Sequence, residues 1–352
     1  MFSSLPFGYM FLSVMGIGTL LSVSSIHWLS IWAGLEINLI GFLPMLVYQK
    51  SVGESQSAVK YFIIQALGSS FLMFGSLMSF STVFTWDMFT ELSGMSTLGF
   101  MVLVSGLCVK LGLFPFHYWL PSVMAGLPWI SCLLLATWQK FAPLFLVLCL
   151  LELNQSYMVA IIFCLISMGS TLIGGLGGIN QTQIRALLAY SSISHLGWMA
   201  FAMLHSEWTM KLYLMIYVLI SISLFLSLWY SDSGNMKDIS SLKNSGSMQL
   251  SIMLLLLSLG GLPPLLGFIS KWLVVIIGTT GPWTPVVFML ILGSLMSLFY
   301  YLSLFFSMFL TNLKKYGFNK LNKVDNSFVT VINTVNIMGG ILILSVSLLS
   351  LV

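Results

Sequence analysis

The chain has 352 residues, of which 58% are hydrophobic and 6% charged, and its mean hydropathy is +1.02. Soluble domains carry about 25% charged residues, so 13 Lys and Arg with 9 Asp and Glu cannot cover a soluble globule of 39.0 kDa. A soluble enzyme, a nucleic-acid-binding domain and a disordered chain are excluded, which leaves a polytopic membrane protein.

A membrane-crossing helix needs about 20 apolar residues. Such windows follow one another at 3–23, 26–46, 59–84, 96–118, 129–150, 157–176, 184–204, 209–230, 248–279, 285–311 and 327–351. That is about eleven transmembrane helices. The runs are apolar on every side, as in 252–257, without the alternation of a membrane barrel. The expected fold class is therefore an all-α membrane protein. The first window starts almost at Met1 with no basic stretch ahead of it, so no removable signal peptide is expected.

Cys108, Cys132, Cys149 and Cys164 fall inside apolar windows without C-x-x-C spacing and read as core fillers. The glycine-rich stretch 174–178 ends a span rather than following a strand, so it is not a nucleotide loop. No cofactor or metal site is expected in this chain. Eleven spans put Lys50, Lys60, Arg185, Lys237, Lys243, Lys314, Lys315, Lys320 and Lys323 on the N-terminal side and only Lys211 opposite. The positive-inside rule then places the N-terminus and the 231–247 and 312–326 loops inside, and the C-terminus outside.

Five polar groups remain within spans: Glu36, Lys110, Lys140, His195 and Lys271. Glu36 and His195 are 159 residues apart, and Lys110 and Lys271 are 161 apart. The fourth helix of each set is interrupted by proline, in 113–117 and in 261–265. Broken helices at matching places in two inverted halves point to a transport site. The expected organisation is a first five-helix repeat over 1–155 and a second, inverted one over 156–312. A loop and C-terminal helix follow over 313–352.

An ionised group at mid-membrane costs about 2.5–3.5 kcal/mol, so four of them would cost about 10–14 kcal/mol unless paired, hydrated or neutralised. Glu36 and Lys110 form the evident pair. A lysine in low dielectric favours its neutral form, and a nearby carboxylate restores the charge, so making and breaking such a pair moves a proton. Lys140, His195 and Lys271 would continue a midplane relay, with the proline breaks admitting water. The blander readings are a fold-specifying Glu36–Lys110 bridge, Lys140 facing a carbonyl, and His195 as a hydrogen-bonded bundle histidine. His117 could serve as a helix cap near the interface. Glu152, Glu207, His205 and Asp87 lie at span ends, where solvated charges need no function. The Met and aromatic residues read as packing and interfacial belt.

Several stretches carry a resemblance: 31–39 (IWAGLEINL), 109–121 (VKLGLFPFHYWLP), 138–143 (WQKFAP), 180–185 (NQTQIR), 189–198 (AYSSISHLGW) and 261–272 (GLPPLLGFISKW). In them the chain resembles the mitochondrially encoded, antiporter-like membrane subunits of NADH:ubiquinone oxidoreductase, respiratory complex I. The resemblance implies that Glu36 pairs with Lys110, that Lys140 takes the proton at the channel centre, and that Lys271 passes it on. His195 takes the bridging place between halves. It further implies the mitochondrial inner membrane, with basic loops on the matrix side and the C-terminus on the intermembrane side. Its implied partners are other membrane subunits, supernumerary subunits and lipid, with no nucleic acid. NADH, flavin, iron–sulfur clusters and ubiquinone are implied for other subunits. Beginning at this helix resembles the shortened animal form, and the absence of a long amphipathic C-terminal helix separates the chain from the largest such subunit. Ala186 stands where many relatives carry a second basic residue. The alternatives are a free-standing cation/proton antiporter of the same fold and a passive assembly subunit.

Overall fold

The computed structural model describes residues 7–47, 51–83, 86–88, 97–153, 156–231, 246–316 and 333–341. The helices are α1 (Gly8–Ser24), α2 (Trp28–Leu46), α3 (Val52–Val83), α4 (Thr97–Leu111), α5 (Trp119–Gly126), α6 (Trp129–Ala136) and α7 (Trp138–Leu153). They continue as α8 (Tyr157–Ile179), α9 (Ile184–His205), α10 (Glu207–Ser231), α11 (Gly246–Gly260), α12 (Leu266–Thr279) and α13 (Thr284–Tyr316). A further helical stretch covers 333–341. Among the described residues, seven helical segments are long and apolar enough to cross a membrane, and four shorter apolar helices accompany them. Most of the two basic loops, 231–247 and 312–326, and most of the last window lie outside the described residues.

The chain divides into two compact units, Met1–Ile162 and Phe163–Val352. In the first, α1 and α2 touch backbone to backbone. A Cβ added at Gly34 would lie 2.6 Å from the Ser22 amide nitrogen, and one at Gly18 would lie 2.5 Å from that of Asn38. Helices in lipid gain little from burying apolar surface against each other, so close approach through small residues is what holds them. The α3–α4 pair repeats the device, with a Cβ at Gly106 falling 2.9 Å from the Gly68 carbonyl. At one end, Trp28 and Met88 amides donate to Trp86 and Ile26 carbonyls, and His27 forms an ion pair with Asp87. At the start of α3 the Glu54 amide donates to the Ser51 hydroxyl at 3.2 Å, half of a capping box.

In the second unit, α9 lies almost wholly buried. A Cβ at Gly174 would stand 2.7 Å from the Ser194 nitrogen, and one at Gly293 would stand 2.8 Å from Thr171. Buried serines on α9 donate to their own helix, Ser191 to the Leu188 carbonyl and Ser194 to the Ser191 carbonyl. In a bilayer interior such groups need internal partners.

Two helices stop abruptly in mid-window, and both stop the same way. Gly112 has φ +76° and Gly261 has φ +83°, a conformation open to glycine because it lacks a Cβ. Leu113 donates to the Cys108 carbonyl and Gly112 to that of Val109; Leu262 donates to Leu257 and Gly261 to Ser258. That is the Schellman pattern, which closes a helix C-terminus. Each glycine is followed three residues later by a proline, Pro115 or Pro264. Gly112 and Gly261 are 149 residues apart, against 159 and 161 for the charged pairs. Lys110 precedes its break on α4, whereas Lys271 follows its break on α12.

Candidate functional site

In the first unit, Glu36 comes from α2 and Lys110 from the last turn of α4, where the break leaves the amine near the helix end. Lys110 Nζ lies 3.9 Å from Glu36 Oε1. This is an ion pair rather than a hydrogen bond, which would need about 3 Å. The Lys110 side chain is 4% exposed and that of Glu36 is 23% exposed, yet Glu36 Oε1, the oxygen that faces the amine, is itself buried.

Lys110 and Lys140 line one small cavity with Asn38, Tyr61, Gln65 and Gln139. It has room for about one water molecule. Lys140 is buried on a segment that departs from regular helix. The window expected as one span over 129–150 is one apolar helical segment, Trp129–Leu153, divided at Thr137 into α6 and α7. Neither Gly nor Pro marks that position; the Thr137 hydroxyl adds to the ordinary amide bond to the Leu133 carbonyl, at 2.7 and 3.0 Å, and the Lys140 amide then reaches only three residues back, to the Thr137 carbonyl at 3.2 Å. Six residues on, Pro143 sits inside α7 and has no N–H for the carbonyl one turn back.

Three side-chain hydrogen bonds converge on Gln139. Asn38 Nδ2 donates to its Oε1 at 2.8 Å, its own Nε2 donates to Asn38 Oδ1 at 3.2 Å, and the Tyr61 hydroxyl donates to Oε1 at 3.5 Å. Gln65 Nε2 donates to the Lys110 carbonyl at 3.3 Å, satisfying one of the carbonyls left open at the end of α4. Sequence reading singled out none of these four polar residues. Their signal was polarity inside apolar windows, but no charge drew attention to them.

In the second unit, Lys271 turns back to the helix that ends before it. Its Nζ donates to the Gly260 carbonyl at 2.9 Å and the Leu259 carbonyl at 3.2 Å. A cation at a helix C-terminus is favoured by the orphan carbonyls and the dipole together. His195 Nδ1 is 2.8 Å from the Tyr213 hydroxyl, and its ring lies 5.1 Å from that of Tyr217. The structure thus brings Glu36, Lys110 and Lys140 together, and gives His195 and Lys271 hydrogen-bonded places of their own.

His117 is buried, its Nδ1 3.1 Å from the Pro115 carbonyl within the break. Of the residues expected at span ends, Asp87 pairs with His27, and Glu207 with Lys211 at 2.6 Å. Cys132 does more than fill space, since its thiol lies 3.4 Å from the Met124 carbonyl in the last turn of α5.

These features define a class: a polytopic, all-helical membrane protein with ionisable groups buried beside broken helices. The transmembrane family described as NADH:quinone oxidoreductase/Mrp antiporter matches residues 25–299. NADH-ubiquinone oxidoreductase chain 2 of Anopheles gambiae is 38% identical over 345 residues, 95% of this chain and 96% of that one. The protein of the same name from Didelphis virginiana is 38% identical over 330 residues, 93% of each. The chain therefore belongs to the NADH:quinone oxidoreductase/Mrp antiporter family, and within it to the NADH-ubiquinone oxidoreductase chain 2 group. Among solved structures, a chain of respiratory complex I from Thermus thermophilus matches with TM-score 0.81 and 25% identity, over 95% of this chain and 78% of that chain. A chain of the Mrp complex from Dietzia sp. DQ12-45-1b shares the fold, with TM-score 0.75 and 14% identity over 85% of this chain and 60% of that chain.

Proposed function

We propose that the chain is a proton-translocating membrane subunit of NADH:ubiquinone oxidoreductase. The observation that carries this reading is the Glu36–Lys110 ion pair beside a small cavity that Lys110 shares with Lys140. With Glu36 close, Lys110 holds its proton. When the pair separates, the desolvated amine gives the proton up across the cavity to Lys140. His195 and Lys271 carry it onward. Lys271 is held to the Leu259 and Gly260 carbonyls, so its protonation and the position of α12 are coupled. Driving force comes from quinone reduction in other subunits, which also carry the NADH, flavin and iron–sulfur chemistry. This chain contributes the proton path.

In this reading the chain crosses the mitochondrial inner membrane eleven times. Residues 1–155 and 156–312 form two inverted five-helix repeats, and 313–352 supply a loop and a last helix. The equivalent Schellman breaks at Gly112 and Gly261 support the repeats. The basic loops and N-terminus face the matrix, the C-terminus faces the intermembrane side, and neighbouring membrane subunits, supernumerary subunits and lipid cover the exposed apolar helix faces. The test is native electrophoresis of gently solubilised membranes, with an antibody to this chain and an NADH-oxidation stain. Co-migration with a very large NADH-oxidising band is expected. Migration alone or as a small oligomer would overturn the reading in favour of a free-standing cation/proton antiporter.

A further inference from the structure

The backbone carrying Lys140 is weakly fixed along its own helix. The regular ladder is interrupted at Thr137 on one side and by Pro143 on the other. Between them, the Lys140 amide bonds to the Thr137 carbonyl at 3.2 Å, a tight three-residue turn. A helix supported on neither side of a residue has to be held from the side. The residue next to Lys140 supplies that tie. Gln139 and Asn38 exchange two hydrogen bonds, one in each direction, and the Tyr61 hydroxyl adds a third. Asn38 lies where α2 packs backbone to backbone on α1, since a Cβ at Gly18 would lie 2.5 Å from its backbone nitrogen. Asn38 also lies two residues beyond Glu36 on the same helix.

We propose that Gln139 is a positioning residue: clasped by Asn38, it fixes Lys140 against the Glu36 helix and so sets the distance over which Lys110 hands its proton to Lys140. The clasp walls the shared cavity and ties together the helices that carry Glu36 and Lys140. A reciprocal amide pair suits this purpose, since it is uncharged and neither takes nor competes for the proton, and its two bonds fix orientation as well as distance. The proposal rests on the proton-relay reading above.

The test measures protons translocated per NADH in the assembled complex reconstituted into vesicles, with NADH oxidation by an artificial acceptor as the assembly control. Displacing reacting groups by about 1 Å costs up to about a hundredfold, so Gln139→Leu and Asn38→Leu should each lower coupled turnover roughly tenfold or more. The double variant should be no worse than the worse single one, because both remove the same clasp. The exchanged pair, Asn38→Gln with Gln139→Asn, should restore most of the coupling, which general loss of packing would not allow. Should Gln139→Leu fail to assemble, Asn38→Leu and the exchanged pair carry the test, since each alters the same two bonds without adding a charge. Wild-type coupling in both single variants, or an exchanged pair as defective as either, would overturn the clasp. Lys140→Met run alongside separates the two claims: if it too pumps normally, the relay falls, and if it alone is defective, only the clasp falls.

Discussion

Glu36→Gln removes the carboxylate while keeping the shape of the side chain. At the observed 3.9 Å, two unit charges attract by about 4 kcal/mol at an effective dielectric near 20, and by only about 1 kcal/mol in water. Between these two limits the pair is worth roughly 2–3 kcal/mol. Moving one charge against a membrane potential takes about 2.3 kcal/mol per 100 mV. The pair is therefore of the right size to supply about 100 mV of work per proton, and not far beyond it. In reconstituted vesicles with an imposed opposing potential, Glu36→Gln should pump near normally at zero potential. It should lose protons per NADH steeply once the potential exceeds about 100 mV. Glu36→Asp, whose carboxylate is withdrawn by one methylene, should fall between. An unchanged dependence on potential in Glu36→Gln would refute the reasoning and reduce the pair to a structural bridge.

Other substitutions separate chemistry from packing. Lys271→Met strips the donor from the Leu259 and Gly260 carbonyls, at about 1–3 kcal/mol for each orphaned group, and should lower the thermal midpoint of the complex. Lys271→Arg keeps donors there and should hold the midpoint while still impairing pumping, because arginine does not release its proton. Tyr213→Phe removes the partner of His195 and should slow coupled turnover several-fold; an unchanged rate would leave His195 a packing residue. Gly34→Ala places a Cβ 2.6 Å from the Ser22 nitrogen, so α1 and α2 must part. The expected loss of about 1–3 kcal/mol would be read as less assembled chain on native electrophoresis.

The apolar windows foretold most helices because hydrocarbon thickness and backbone hydrogen bonding leave few options for a chain so poor in charge. The breaks after Gly112 and Gly261 were legible through their prolines, and the glycines before them explain how each helix ends. The break at Thr137 was not legible. It shows in the Lys140 amide reaching the Thr137 carbonyl only three residues back, a backbone choice that no local composition announces. Glu36, Lys110 and Lys140 stood out because charge in hydrocarbon is expensive, and the structure brings all three into one unit. Asn38 and Gln139 are 101 residues apart and uncharged, so their pairing emerges only in three dimensions. Lys110 and Lys271 match in spacing along the chain but stand on opposite sides of their own helix breaks, Lys110 before and Lys271 after.

The central claim is that protons pass through Lys140. The most direct measurement is the number of protons translocated per NADH by Lys140→Met in complex assembled to wild-type abundance, with oxidation by an artificial acceptor as control. The account predicts fewer protons per NADH with the acceptor reaction intact. Wild-type stoichiometry in that variant would contradict it.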